Sequence, residues 1–351
     1  MKFSTLCFLI LVPCVNAQQS IWQDEPINQL EYQHTASDFG LRGDVKSCMQ
    51  TFETQNENGE YEIKHGAWCD HHFVKHLNFN QQGQLTSRYE KTNKGDTMII
   101  VLIDYDDQHR ILMVQEHIAN IWRKYERFPA KNWESRSLNY SYDQGLLVAI
   151  ESHGNWGDPF NGNNHHRLVF EYEKDRLVKK TIQRGIPVED TLNIREYKYV
   201  AHSNELEEIN TIVEGYTTTE GSMKFHYDDS DMKNLTGKSF IPKNPDELNQ
   251  DMQWTYNSQK KTSSYVSGDT LQGMWYEYRN YKYNSQKDLI SEYTNMEMDG
   301  RARLNCEYTY KYDEKNNWIA RVIKLHHDIP YGGGSTYDEF FRESQELEYY
   351  N

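Results

Sequence analysis

The stretch Tyr312-Asp313-Glu314-Lys315-Asn316-Asn317-Trp318-Ile319 decides the fold. An aromatic residue closes one apolar run, an acid follows it, and a large apolar residue opens the next run after a short polar interval. The Asp carboxylate accepts a hydrogen bond from backbone two residues on, which starts a turn. Two residues before Tyr312 stands Tyr310, with Lys311 between them. Positions i and i+2 of a strand share a face. The stretch therefore reads as the tip of a β-hairpin with an aromatic pair on its buried side and a lysine on its wet side.

The same unit recurs along the chain. Its anchor aromatic stands at Phe79, Tyr105, Tyr142, Tyr172, Tyr199, Tyr227, Tyr256, Tyr283 and Tyr312. The spacing is roughly 28 residues, on the scale that marks a repeat architecture. Asp or Asn follows in seven copies, with Glu173 and Val200 as the exceptions, and the copies at Tyr227 and Tyr256 are degenerate. The return residue is Leu85, Ile111, Leu147, Leu177, Leu206, Leu289 or Trp318. The apolar partner two positions before each anchor runs from Leu77 and Ile103 to Tyr281 and Tyr310. Gly83 and Gly145 supply positive φ in two turns. A lone hairpin is marginal in water, so neighbours must bury one another's aromatic faces. The expected fold is all-β: an antiparallel β-hairpin repeat array of about nine hairpins, forming one extended, twisted or solenoid-like sheet.

Residues 1–17 read as a signal peptide, with Lys2, an apolar core from Phe8 to Val12, and Val15-Asn16-Ala17 as the cleavage site. A lipid-modified Cys14 is the alternative cut. No segment is long and apolar enough for a transmembrane helix. Residues 18–40 read as a polar lead-in and 41–351 as a single repeat domain, closed by a strand over Phe340–Tyr350. The expected localisation is exported, periplasmic or extracellular. The formal charge of −15 disfavours nucleic acid and anionic membranes and suits a basic protein partner. The abundance of tyrosine, 26 residues, is unlike a disordered chain.

Cys48 and Cys69 flank Asn58-Gly59, a strong two-residue turn signal. Pairing Glu57 with Glu60 and counting outward sets the two cysteines opposite each other, about 4.5 Å apart at Cα in a non-hydrogen-bonded pair. That separation allows a disulfide in an oxidising compartment. Cys306 is then unpaired.

The repeated Tyr-Asp, turn and leucine pattern resembles the YD or RHS-type repeat, best in Tyr283-Asn284…Leu289 and in the stretch from Tyr312. Leu41-Arg42-Gly43-Asp44-Val45-Lys46-Ser47 and Glu346-Leu347-Glu348-Tyr349-Tyr350 are similar to the opening and ending of small secreted bacterial proteins with these repeats. The resemblance covers roughly residues 41–350 and implies no catalytic residues; nine repeats are too few to imply encapsulation of a toxin, as in large RHS proteins.

No nucleophile elbow, Walker loop or zinc spacing is present, so no cofactor or metal is expected. Three histidine pairs, His71-His72, His165-His166 and His326-His327, read as solvated, because neighbours on a strand face opposite sides. Asp228-Asp229-Ser230-Asp231 lacks the glycine and distant glutamate of a calcium loop. The candidate interaction loop interrupts the repeat and carries His153, Trp156, Asp158, Phe160 and His165. The expected function is a non-enzymatic exported protein binding another macromolecule, in its specific form a periplasmic immunity or accessory protein for a toxin. The competing expectation is a carbohydrate-binding protein or hydrolase with its site near the 153–166 loop.

Overall fold

The computed structural model describes residues 35–56, 58–62, 74–91, 97–119, 133–154, 166–184, 190–199, 206–213, 221–227, 235–242, 250–257, 261–269, 274–296, 303–329 and 335–350. The chain divides into two compact units. One comprises Met1–Glu134, Tyr281–Tyr293 and Leu304–Asn351; the other comprises Ser135–Asn280 and Thr294–Arg303.

In the first unit, β1 (Val45–Gln55), the two-residue β2 (Tyr61–Glu62), β3 (Val74–Phe79), β4 (Leu85–Lys91), β5 (Thr97–Tyr105) and β6 (Ile111–Ala119) follow a short 3-10 helix, Ala36–Phe39. The second unit holds most of β7 (Trp133–Asp143), then β8 (Leu146–Gly154), β9 (His166–Glu173), β10 (Arg176–Arg184), β11 (Asp190–Tyr199), β12 (Leu206–Val213), β13 (Gly221–Tyr227), β14 (Leu235–Pro242), β15 (Gln250–Tyr256) and β16 (Thr262–Asp269). Strands β17 (Met274–Tyr283) and β18 (Leu289–Met296) lead back to the first unit, which ends with β19 (Arg303–Tyr312), β20 (Trp318–Ile329) and β21 (Ser335–Tyr349).

The expected hairpins are present, but not as an open array. Hairpins also pair edge to edge with the next, as β4 does with β5, β8 with β9 and β12 with β13. The first and last strands pair with each other: β1 bonds β3 on one edge, Cys48 opposite Leu77, and β21 on the other, Cys48 opposite Leu347. The extended or solenoid-like sheet is therefore corrected to a closed antiparallel barrel of 20 strands with one extra strand, β2. The physical reason is edge satisfaction: the first and last strands complete each other's hydrogen-bonding edges.

The expected alternation holds along the outgoing strands. Leu77, Ile103, Tyr140, Phe170, Tyr197, Phe225 and Trp254 are buried, while Asp104, Ser141, Glu171, Lys198, His226 and Thr255 between the paired apolar residues are exposed. The turns hold in detail as well. Asn56, Asn80, Asp106, Asn284 and Asp313 each accept hydrogen bonds at Oδ1 from the N–H groups two and four residues on, at 2.8–3.0 Å. The fourth residue of each of these turns has positive φ: Gly59, Gly83, His109, Lys287 and Asn316. Where the return leucine follows the anchor by five residues, the turn is instead a two-residue type with both central residues at positive φ, Gln144-Gly145 and Lys174-Asp175. Asp143 then belongs to the strand, opposite Leu146.

The Asn56 turn shifts the first hairpin from its expected register. Gln55 faces Tyr61, and the Asn56 N–H donates to Glu60 O at 2.8 Å, so it is Asn56 that Glu60 meets. Cys48 is a buried free thiol with leucines opposite it on both sides; Cys69 lies outside the described residues. Residues 1–17, expected as a signal peptide, lie outside them too.

Candidate functional site: a polar belt behind the bulges

The return strands do not follow simple alternation. Each of seven hairpins carries a β-bulge directly after its return residue. Phe79 faces Leu85 while Asn78 faces Ser87, and Tyr142 faces Leu147 while Ser141 faces Ala149; the hairpins at Tyr105, Tyr172, Tyr199, Tyr227 and Tyr256 repeat the step. The bulged residues are Thr86, Leu112, Val148, Val178, Glu207, Thr236 and Ser263. One extra residue reverses the facing of everything after it. The next residue on the buried face is thus three beyond the return residue, not two. Leu112, itself bulged, is 51% exposed for the same reason.

That third position takes Val114, Ile150 and Ile209 in some hairpins and Arg88, Lys180 and Lys238 in others. Lys180 is only 1% exposed and Lys238 only 3%. In the second unit, Lys180 Nζ lies over the Phe170 ring, 5.9 Å from its centroid, and faces buried Arg195 across β10–β11. In the first unit the belt is charge-paired. Glu90 Oε1 lies 3.3 Å from Arg88 Nε and 4.0 Å from Lys75 Nζ, and Arg321 Nη2 lies 2.6 Å from Glu343 Oε2. Gln345 stands opposite Gln50, 4% exposed, with neither polar side-chain atom hydrogen-bonded.

Tyrosines of the outgoing strands have a second job that spacing does not reveal. The hydroxyls of Tyr105, Tyr172, Tyr199, Tyr256 and Tyr310 donate to the backbone oxygens of Leu85, Leu147, Leu177, Leu235 and Leu289, at 2.5–2.9 Å. Each tie joins one outgoing strand to the return residue of the preceding hairpin. Burial pushes Tyr105 and Tyr310 up to about 12. It pushes the Cys48 thiol up to about 12 as well, which makes Cys48 a packing residue and a poor nucleophile. The Asp106 carboxyl is held below its ordinary value, first by the Arg110 backbone N–H and then by the Arg110 side chain.

Of the loop singled out in the sequence, His153 lies at the end of β8, opposite Ser137 and 4.0 Å from Glu151 Oε2. Trp156, Asp158, Phe160 and His165 lie outside the described residues. So do His71, His72 and the run from Asp228 to Asp231. His326 Nδ1 meets Asp338 Oδ1 across β20–β21 at 2.7 Å, with Lys324 Nζ 3.1 Å from the other oxygen. Among the described residues, no three His, Cys, Asp or Glu side chains come together as a metal site.

The exposed face is charged in both units. Arg167–Glu151, Lys179–Glu171 and Lys198–Glu207 pairs mark it in one, and Lys46–Glu348 and Lys324–Asp338 in the other. The large exposed apolar side chains among the described residues, Leu112, Ile241, Tyr278, Ile290 and Tyr337, sit on five different strands. No helix among the described residues is long and apolar enough to cross a membrane.

No protein-family model and no curated protein matches the chain. Among solved structures it is similar to a porin-like protein from Bacteroides uniformis ATCC 8492, at 10% identity and a TM-score of 0.35, over 87% of this chain and 98% of that one. It is also similar to a TcdB2-TccC3-Cdc42 structure, at 10% identity and a TM-score of 0.32, over 73% of this chain and 16% of that one. The Photorhabdus luminescens Tc holotoxin pore gives 13% identity and a TM-score of 0.29, over 81% of this chain and 18% of that one. These are weak likenesses to Tc toxin components and to a porin-like protein.

Proposed function

We propose that this chain is an exported, non-enzymatic YD-type repeat protein whose barrel stands in water and binds a basic protein through its charged exposed face. One observation carries the reading: along the described strands the apolar face is buried and the exposed face is ionic. A lipid-spanning barrel needs the reverse, a continuous exposed apolar band, because charge on the lipid face costs about 2–4 kcal/mol per residue at the midplane. Paired charges such as Lys179–Glu171 fit water. The net charge of −15 favours a cationic partner and speeds its encounter at low salt. Catalysis has no part in this reading, because the belt's described ion pairs hold each other inside the sheet.

Fractionation of cells expressing the full chain tests the first half. The expected result is release in the soluble exported fraction without detergent; retention in membranes until detergent is added overturns it. Pull-down from that fraction at low and high salt tests the second half. A basic protein captured at low salt and released at high salt supports it; capture of only acidic or salt-insensitive partners counts against it.

A further inference from the structure

One junction of the barrel joins its first and last strands. β1 and β21 meet across nearly the whole length of the chain, from Val45 opposite Tyr349 to Thr54 opposite Phe341. A hairpin strand keeps its neighbour close through a short connection, whereas loop closure here spans almost every other strand of the sheet. The segment just before β1 crosses that junction. On the β1 side, Thr35 bridges Gln84, Ala36 N–H donates to Gly83 O at 2.8 Å, and Phe39 meets Phe79 edge-on, ring centroids 5.9 Å apart. All three contacts fall on the end of β3 or the β3–β4 turn.

On the β21 side, Arg42 reaches two further turns. Its Nη2 donates to Gln286 O at 2.8 Å and lies 3.6 Å from Asp288 Oδ2, and its Nη1 donates to Asn316 O. Its backbone N–H donates to Asn317 Oδ1 at 2.5 Å, while Asn317 Nδ2 returns a bond to Arg42 O at 2.9 Å and another to Tyr349 OH at 2.7 Å. Asn317 is buried, as are Ala36 and Leu41. The chain's other end joins in: Tyr350 N–H donates to Asp44 O at 2.9 Å, and Tyr350 OH donates to Phe79 O at 2.5 Å.

We propose that residues 35–44 are a detachable strap that locks the β1–β21 seam, with Arg42 as its clasp, so that undoing the clasp opens this junction while the rest of the barrel stays paired. A charge-bearing fork across two turns is a strong hold, and it is placed where the sheet has no covalent turn of its own. The strap contacts named above all lie within the first unit.

Amide hydrogen exchange on the full chain tests it, comparing wild type with Arg42→Ala and with Arg42→Lys, which keeps the charge and loses the fork. In Arg42→Ala the amides that bond between β1 and β21 are expected to exchange tenfold faster or more. The amides of β1 that bond to β3, and those of β9–β10, are expected to stay within twofold of wild type. Arg42→Lys should fall between. The proposal is overturned if seam amides keep their wild-type rate, or if all strands speed up together. Should Arg42→Ala fail to fold, the graded Arg42→Lys variant and Phe39→Leu on the opposite anchor carry the same comparison.

Discussion

The outgoing and return strands of each hairpin obey different rules. An outgoing strand such as Leu138–Asp143 alternates strictly, with Leu138 and Tyr140 buried and Ser141 exposed. Its partner reads Leu147, Val148, Ala149, Ile150, and the bulge at Val148 moves the buried series to Ile150. The difference teaches where a sheet of this kind hides charge. The outgoing face is aromatic and aliphatic, whereas the residues placed inward by the bulge include Arg88, Lys180 and Lys238. A bulge gives the sheet extra local twist, and the same step decides which side chains enter the belt.

Single-residue deletions test that asymmetry most severely. Removing Ser141 from the outgoing strand should turn Leu138 and Tyr140 to the wet face and abolish cooperative folding. Removing the bulged Val148 should leave Tyr142–Leu147 and Tyr140–Ile150 as facing pairs, at a cost of about 1–3 kcal/mol. Urea titration followed by near-UV circular dichroism separates the two outcomes; equal damage from both deletions would refute the account of the bulge.

The belt is the next target. Arg321→Met leaves Glu343 without the guanidinium 2.6 Å away and is expected to cost about 2–3 kcal/mol, somewhat below the fully buried range because both groups retain some solvent. Adding Glu343→Leu should restore most of that loss. A double variant as unstable as the single one would mean that the pair does not act as a unit.

Alkali probes the ties between hairpins. The ordinary tyrosine value is near 10, and Tyr105 and Tyr310 are raised to about 12 by burial. A raised folded value favours the protonated hydroxyl. Their contribution is therefore complete below pH 10 and is lost as the pH climbs through 12. Unfolding should begin in that window, with delayed tyrosinate absorbance at 295 nm, and Tyr105→Phe should reduce the amplitude of the delayed phase. An unchanged titration in that variant would remove Tyr105 from the explanation.

The smallest expected effect lies in the turns that join the two kinds of strand. His109 holds φ at 61°, where Gly83 stands in the equivalent turn. His109→Gly should stabilise by about 0.5–1 kcal/mol, because relief of the left-handed strain outweighs the entropy glycine adds to the unfolded chain. Thermal denaturation checks it; a lower melting temperature would mean that the histidine side chain contributes more than its backbone costs.

Much of this was legible in residues alone. Tyr-Asp followed by Leu at the sixth position announces the Asx-capped turn, since one short carboxylate or amide reaches the N–H groups two and four residues ahead. An apolar residue two positions before the anchor announces the buried face. The bulge left a fainter trace, the interval of three in Ile111…Val114, Leu147…Ile150 and Leu206…Ile209. Lysine at that position in β10 hid it, because a polar residue does not look buried. Thr35–Gly40, read as the end of a polar lead-in, carry the strap's contacts to the end of β3 and the β3–β4 turn. Those contacts depend on Gly83 for Ala36, and Arg42 beyond them depends on the turns at Gln286 and Asn316, far along the chain.

The sequence by itself determined the local terms: which residues pair into hairpins, which face of the outgoing strands is dry, and which side chains start the turns at Asn80, Asp106, Asn284 and Asp313. These depend on neighbours within a few residues, where side-chain chemistry and strand periodicity act directly. Only the tertiary structure decided that the sheet closes, that Tyr hydroxyls tie successive hairpins through leucine carbonyls, and that the N-terminal segment crosses the seam. Those outcomes rest on backbone edges and carbonyl oxygens, groups that every residue carries alike, so no pattern of side chains could announce which of them would meet.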